Sequence, residues 1–192
     1  MRTVLPELAQ RYRDEGLWAD RTLGQWVEAS IERNRDNSFR VFSDVRAFEG
    51  TFGDLDAKAR RFASWMRSNG IGDGDVVVMQ LPNWAEAAVT FWAAAYVGAV
   101  IVPVVHFYGA KEVEYILRVL SPDVVVTPER FRNMDFLGTY QELLEAHPDT
   151  HWLVVGDTPA SELPDRATSF TTVLDSEPIT EITVVDPNEP AV

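Results

Sequence analysis

The stretch DVVVMQLPNWAEAAVTFWAAAYVGAVIVPVV, residues 75–105, decides the fold. Val76 to Met79 is an unbroken apolar run of strand length, rich in the branched residues that favour pleated backbone. Asn83, with Glu86 three positions on, has the polar pattern that opens a helix. The predicted helix is alanine-rich and aromatic, with Trp84, Phe91, Trp92 and Tyr96, and closes at Gly98, where left-handed backbone is open to glycine. Ala99 to Val105 is a second apolar run. Strand, helix, strand in this order implies a right-handed crossover between parallel strands. Neither run alternates polar with apolar residues, so both faces of the sheet are expected to be covered.

The pattern continues on both sides. Downstream, Ala110 to Leu120 reads as a helix with Val113, Ile116, Leu117 and Leu120 on one side. Val124 to Val126 reads as a third strand, Asn133 to Ala146 as helical and Trp152 to Val155 as a fourth strand. Upstream, Thr22 caps a helix carrying Leu23, Trp26, Val27 and Ile31 on its inner face. Phe39 to Ser43 is a short strand. Thr51, with Asp54, opens a helix with Phe52, Leu55, Phe62, Ala63 and Met66 inside, and Asn69-Gly70 stops it. The expected class is α/β: an open, mostly parallel sheet with helices on both faces. Residues 1–155 form the expected domain. Residues 156–192 read as an acidic, proline-rich connecting segment with eight acids, one base (Arg166) and five of the 11 prolines. Within it only Phe170 to Leu174 and Ile182 to Val185 look like strands.

Composition limits the function classes. A chain of 192 residues with 46% hydrophobic and 24% charged residues has the make-up of a folded globular protein. A net charge of −13 argues against a nucleic-acid partner. Twelve of the 17 basic residues lie in positions 1–70, but 11 acids nearly balance them there. Arg11, Arg13, Arg33, Arg35, Arg60, Arg61 and Arg67 therefore read as a mixed-charge surface rather than an anion patch, and no amphipathic membrane anchor stands out. Without cysteine there is no disulfide framework and no thiolate metal site. Met1-Arg2-Thr3 leads towards charged residues 11–15 rather than the apolar centre of a signal peptide, which makes a cytoplasmic location the expectation.

Ligands of open α/β sheets bind beyond the carboxyl ends of the strands. Four loops take that place: 81–83, 106–109, 127–130 and 156–157. Leu81-Pro82-Asn83 holds no glycine, so backbone cannot approach a pyrophosphate as in a dinucleotide fold, and no Walker-type loop occurs. The glycines of Ile71-Gly72-Asp73-Gly74 precede the strand and read as a turn. His147 and His151 have the spacing of paired metal ligands, but Pro148 breaks the helix between them, leaving surface histidines. No metal site and no catalytic residue is assigned. His106, Phe107 and Tyr108 make an aromatic loop with one polar tip, either lining a pocket or packing under the next helix. Trp84 starts its helix beside a strand end and either faces a ligand or packs.

Six motifs in register carry a family resemblance. They are Thr22-Leu23; Thr51-Phe52-Gly53-Asp54-Leu55-Asp56; residues 70–78, Gly70 to Val78; Gln80-Leu81-Pro82-Asn83-Trp84; Gly98-Ala99-Val100-Ile101-Val102-Pro103; and residues 112–117, Glu112 to Leu117. From about Arg21 to Val155 the chain resembles the N-terminal subdomain of AMP-forming acyl-CoA synthetases, members of the adenylate-forming superfamily. The Leu-Pro-Asn-Trp wording, with Phe131-Arg132 and Asp135, is most similar to the branch acting on fatty or alicyclic carboxylic acids. In that family Asp186-Pro187 would lead into a Ser/Thr/Gly-rich phosphate loop ending in Pro-Lys-Gly, which this sequence does not contain.

The resemblance implies the N-terminal fragment of an ATP-dependent ligase. The full enzyme would use ATP, Mg2+ and coenzyme A, none bound by the fragment, and its partners would be a hydrophobic carboxylic acid and the remaining C-terminal portion. The carboxylate would attack the α-phosphate of ATP to give an acyl-adenylate, and a thiol would then displace AMP. Trp84, His106, Phe107 and Tyr108 would form part of the acid-binding wall, and the fragment alone would form no acyl-adenylate. Two other readings stay open: a non-catalytic α/β binding module, and a ligase that loads a carrier-protein thiol instead of coenzyme A. Trp65 and Trp92 lie within helix stripes and read as core, so Trp92→Ala is expected to cost ~3–5 kcal/mol in a thermal melt.

Overall fold

The computed structural model describes residues 4–188 and 190–192. Residues 1–3, with which the signal-peptide reading began, and residue 189 of the acidic tail lie outside the described residues. The elements run α1 (Pro6–Asp14), α2 (Leu23–Asn34), β1 (Ser38–Val41), β2 (Phe48–Thr51), α3 (Phe52–Ser68), β3 (Val76–Met79), α4 (Ala85–Val97), β4 (Val100–Pro103) and α5 (Ala110–Leu120). They continue with β5 (Val124–Pro128), β6 (Arg130–Phe131), β7 (Met134–Asp135), α6 (Phe136–Leu143), β8 (His151–Val155), β9 (Ala167–Ser169) and α7 (Phe170–Val173). The class is α/β, as the strand-helix alternation predicts.

The main sheet has five parallel strands in the order β4-β3-β5-β8-β9. Alternate residues of one strand enter different cores. Val77, Val124, Val126, Leu153 and Val155 pack with α3, α4 and α7 residues such as Phe62, Val89 and Phe170. Val78, Val125, Trp152 and Val154 face Val113 and Leu117 of α5 and Phe136 and Tyr140 of α6. This two-sided burial is the physical content of the apolar runs.

Three capping features set the helices. Thr22 and Thr51 each close a reciprocal box, with Gln25 and Asp54 respectively. Gly98 ends α4 at φ 81°, and Val185 packs where its Cβ would lie. Asn83 does not cap α4: the helix begins at Ala85, with Trp84 in extended conformation before it. The helix expected over 133–146 is shorter. Residues 130–135 form the β6–β7 hairpin, and Asp135 caps α6 by accepting from Gly138 N at 3.3 Å.

Residues 156–188 and 190–192 join the same body. β9 pairs with β8, and Phe170 to Val173, expected as a strand, is helix α7 buried against α3. Ile182 to Val185 is not a strand. It belongs to an extended strap along α3 and α4, where Thr183 N donates to the Tyr96 carbonyl at 2.7 Å. Arg61 donates to the Ser176 carbonyl at 2.8 Å and Arg67 to the Glu181 carbonyl at 2.8 Å. At the far end, Ile101 N on the outer edge of β4 donates to the Ala191 carbonyl at 2.9 Å.

Beneath the strap, α3 and α4 meet at a buried carboxylate. Asp56 is 2% exposed; Tyr96 Oη donates to it at 2.6 Å and Arg60 Nε at 3.0 Å, while Arg35 approaches at 3.4 Å. Arg60 also holds Glu28 of α2 at 2.9 Å. Burial first, and then the Asp56 bond, push the Tyr96 hydroxyl well above the usual phenol range; burial does the same for Tyr140.

Trp65 and Trp92 are half-buried rather than core. Trp92 stacks on Phe52 at 6.2 Å between centroids and, with Trp26, lines a surface groove. Trp92→Ala is therefore expected to cost ~1–2 kcal/mol, below the full-burial figure. The tyrosines predict a pH effect. Their folded-state pKa values exceed the unfolded value, so the stabilisation is complete below about pH 10 and falls as pH rises above it. Urea melts should lose up to about 1.4 kcal/mol per pH unit per tyrosine there, and Tyr96→Phe should remove one tyrosine's share of the slope.

Candidate functional site

At the carboxyl end of the sheet the aromatic residues named from sequence form one chain of rings. Trp84 meets Phe131 edge to face at 5.8 Å between centroids, and His106 meets the same Phe131 at 5.0 Å. Phe107 continues from His106 at 5.5 Å, and Tyr108 from Phe107 at 5.9 Å. Phe131 is the bridge. The β6–β7 hairpin brings it back over the strand ends, which a helical reading of 133–146 could not show. Trp84 is 7% exposed and Phe107 66%, so the chain runs from the core to solvent.

Gln80, one residue past β3, holds the aromatic loop in place. It is 1% exposed, and its amide nitrogen donates to the carbonyls of Val105 at 2.9 Å and Tyr108 at 3.0 Å. Its amide oxygen accepts from Tyr140 Oη at 2.8 Å. Tyr140 stacks on Trp152, whose indole N–H donates to Thr127 Oγ1 at 2.9 Å. A side-chain amide thus fixes a loop that has no strand pairing of its own. A buried glutamine after an apolar strand is the signal that sequence reading passed over.

On the other side of Trp84 lies a cleft of about 280 Å³, lined by Arg46, Trp84, Glu129, Phe131, Arg132 and Gly156 among others. His106, Phe107 and Tyr108 do not line it; they stand beyond Phe131. Glu129 follows β5 and accepts from Thr158 N at 3.0 Å. Burial opposes its charge, but the Thr158 hydroxyl and the backbone N–H groups of 157 and 158 hold it below the usual carboxylate range. Gly156 makes this grip possible, because a Cβ there would overlap the Glu129 carboxylate.

The loop after β3, Leu81-Pro82-Asn83, holds no glycine that would open its backbone to a phosphate. Leu81 is buried, and Trp84 N is already used by the Pro82 carbonyl at 2.6 Å. Among the described residues no three His, Asp or Glu side chains gather to hold a metal. His147 lies after the 3-10 turn 144–146, whereas His151 sits in β8 edge-on to Trp65 at 5.3 Å. No helix of the described residues is long and apolar enough to cross a membrane.

Residues 27–192 match the family described as AMP-binding enzyme. This chain is a member of the AMP-binding enzyme family. A medium-chain fatty-acid–CoA ligase of Escherichia coli is 31% identical over 121 residues, 63% of this chain and 21% of the relative. A salicyl-AMP ligase / salicyl-S-ArCP synthetase of Mycobacterium tuberculosis is 28% identical over 153 residues, 79% of this chain and 27% of the relative. The apo structure of Mycobacterium smegmatis MbtA superimposes on all of this chain with a TM-score of 0.82 and 29% identity, and the chain covers 34% of it. The chain thus spans between a fifth and about a third of these relatives, and its fold is the N-terminal part of theirs. Gln80→Leu in this AMP-binding chain leaves the Tyr140 hydroxyl and two carbonyls unpaired. It is expected to cost about 2–3 kcal/mol in a denaturant melt and to speed hydrogen exchange over 105–109.

Proposed function

We propose that this chain is the N-terminal portion of an ATP-dependent acyl-CoA ligase acting on a hydrophobic, fatty carboxylic acid. The observation that carries this reading is the ring chain Trp84–Phe131–His106–Phe107 at the ligand-binding end of an AMP-binding fold. The likeness to a medium-chain fatty-acid–CoA ligase supports the substrate class.

In the first step a carboxylate oxygen of the acid bonds to the α-phosphorus of ATP, and pyrophosphate leaves with the electrons of the broken P–O bond. In the second, the thiol sulfur of coenzyme A bonds to the acyl carbon, losing its proton, and AMP leaves. Trp84, His106, Phe107 and Tyr108 serve as an apolar wall that keeps water from the reactive anhydride. Gln80 holds that wall in register with β3. The loop after β3 has no glycine to bring backbone to a phosphate, which supports a reading in which the nucleotide chemistry falls to other parts of the enzyme and these 192 residues alone form no acyl-adenylate.

A second reading has its own support. A relative named as a salicyl-AMP ligase / salicyl-S-ArCP synthetase favours an aryl acid and a carrier-protein thiol. Acid-dependent pyrophosphate release, measured on the longer enzyme with octanoate, benzoate and salicylate, separates the two. Release with octanoate, followed by octanoyl-CoA formation, is the expected result. Release with salicylate alone, and no thioester with coenzyme A, would replace the fatty-acid reading with the aryl one. Pyrophosphate release by the isolated 192-residue chain would overturn the assignment of nucleotide chemistry to other parts.

A further inference from the structure

Arg46 is a basic side chain that joins its own loop to two other segments at the cleft. It leaves the loop between β1 and β2, where Ser43 Oγ accepts from its backbone N–H at 3.1 Å and fixes the turn. Its Nε donates to Glu86 Oε1, in the first turn of α4, at 2.8 Å. Its Nη1 donates to Asp157 Oδ1, in the loop after β8, at 3.1 Å. The guanidinium carbon lies 5.7 Å from the centre of the Trp84 ring, within cation–π range. The Arg46 side chain is 23% exposed and that of Glu86 19%, so this pair is shielded, whereas Asp157 is 89% exposed.

We infer that Arg46 is a positioning residue. It fixes the Trp84 indole against Phe131 and ties the β1–β2 loop and the 156–158 loop to the two sides of the cleft, and thereby sets the enzyme's affinity for its acid. The inference rests on the reading of Trp84 as part of the acid-binding wall. Three observations converge on it. A single planar fork engages both carboxylates while its face approaches the ring, which an ammonium cannot reproduce. The 156–158 loop has no strand pairing, and Glu129 holds it from the β5 side as Arg46 holds it from the other. The two exposed apolar residues of the β1–β2 loop, Phe42 and Val45 at 90% and 71%, show that packing does not anchor it, so the guanidinium bonds must.

The test compares Arg46→Met, Arg46→Lys and Trp84→Ala. In the 192-residue chain, the indole N–H resonance of Trp84, assigned by its loss in Trp84→Ala, should shift in Arg46→Met. Hydrogen exchange over 43–47 and 156–158 should speed up. In the longer enzyme, Arg46→Met should raise KM for octanoate, or for salicylate if that is the acid turned over, by about tenfold with kcat little changed, the pattern of lost ground-state binding. Arg46→Lys should recover the loop protection in part but not the indole resonance. An unmoved resonance and unchanged exchange in Arg46→Met would overturn the inference. So would loosened loops with KM unmoved while Trp84→Ala raises it; that result leaves the acid-wall reading standing. If Trp84→Ala also leaves KM unmoved, the acid-wall reading itself fails and the role of Arg46 goes with it.

Discussion

A carboxylate withdrawn from water needs partners, and the position of nearly every helix on one face of the sheet follows from how Asp56 finds them. Its oxygens take a phenol from α4 and guanidinium groups from α3 and from the turn after α2. Removing one partner from such a site leaves polar groups buried and unpaired, which costs more than the intact cluster contributes. The cluster therefore acts as a geometric constraint more than as a source of stability. It fixes α3 against α4. α3 follows directly on the β1–β2 hairpin that carries Arg46, and α4 follows directly on Trp84, so the same constraint sets the spacing between the two sides of the cleft.

The carboxyl end of the sheet repeats this logic with one neutral amide and one carboxylate. Loops are mobile where their backbone lacks internal partners. Here Gln80 supplies partners for 105–108, and Glu129 supplies them for 156–158. Both side chains stand just past the last residues of neighbouring strands, β3 and β5. The rigid sheet thus extends its order into irregular backbone by one side chain each. Irregular backbone held in this way opens less readily than loops that rely on their own turns.

Much of this was legible in the residues themselves. The unbroken valine runs at 76–79 and 124–126 give parallel strands covered on both faces, and the capping threonines at 22 and 51 open their helices where expected. What failed had local causes. Asn83 looked like a cap, but the chain stays extended through Trp84 and the helix starts later. Phe170 to Leu174 has strand propensity, yet Phe170 to Val173 is a helical turn that buries Phe170 and Val173 in the core with α3, an instance of packing overriding propensity. The β6–β7 hairpin turns at Arg132, whose φ of 55° carries no glycine signal, so Phe131 could not be placed over Trp84 in advance. Gln80 and Arg46 act across long sequence separations, and periodicity carries no information about such bonds.

The strap along α3 has a consequence for how this protein tolerates change. Arg61 and Arg67 grip it by backbone oxygens at Ser176 and Glu181, and Thr183 donates its own amide to Tyr96. Those backbone contacts are indifferent to side-chain identity, and Thr183 adds one that is not, its hydroxyl accepting from Arg67 at 3.0 Å. Genetic drift can rewrite the outward-facing residues of the strap while its path stays the same, whereas the arginines beneath it are held to one chemistry. Divergent homologues should keep the guanidiniums and vary the ribbon they hold.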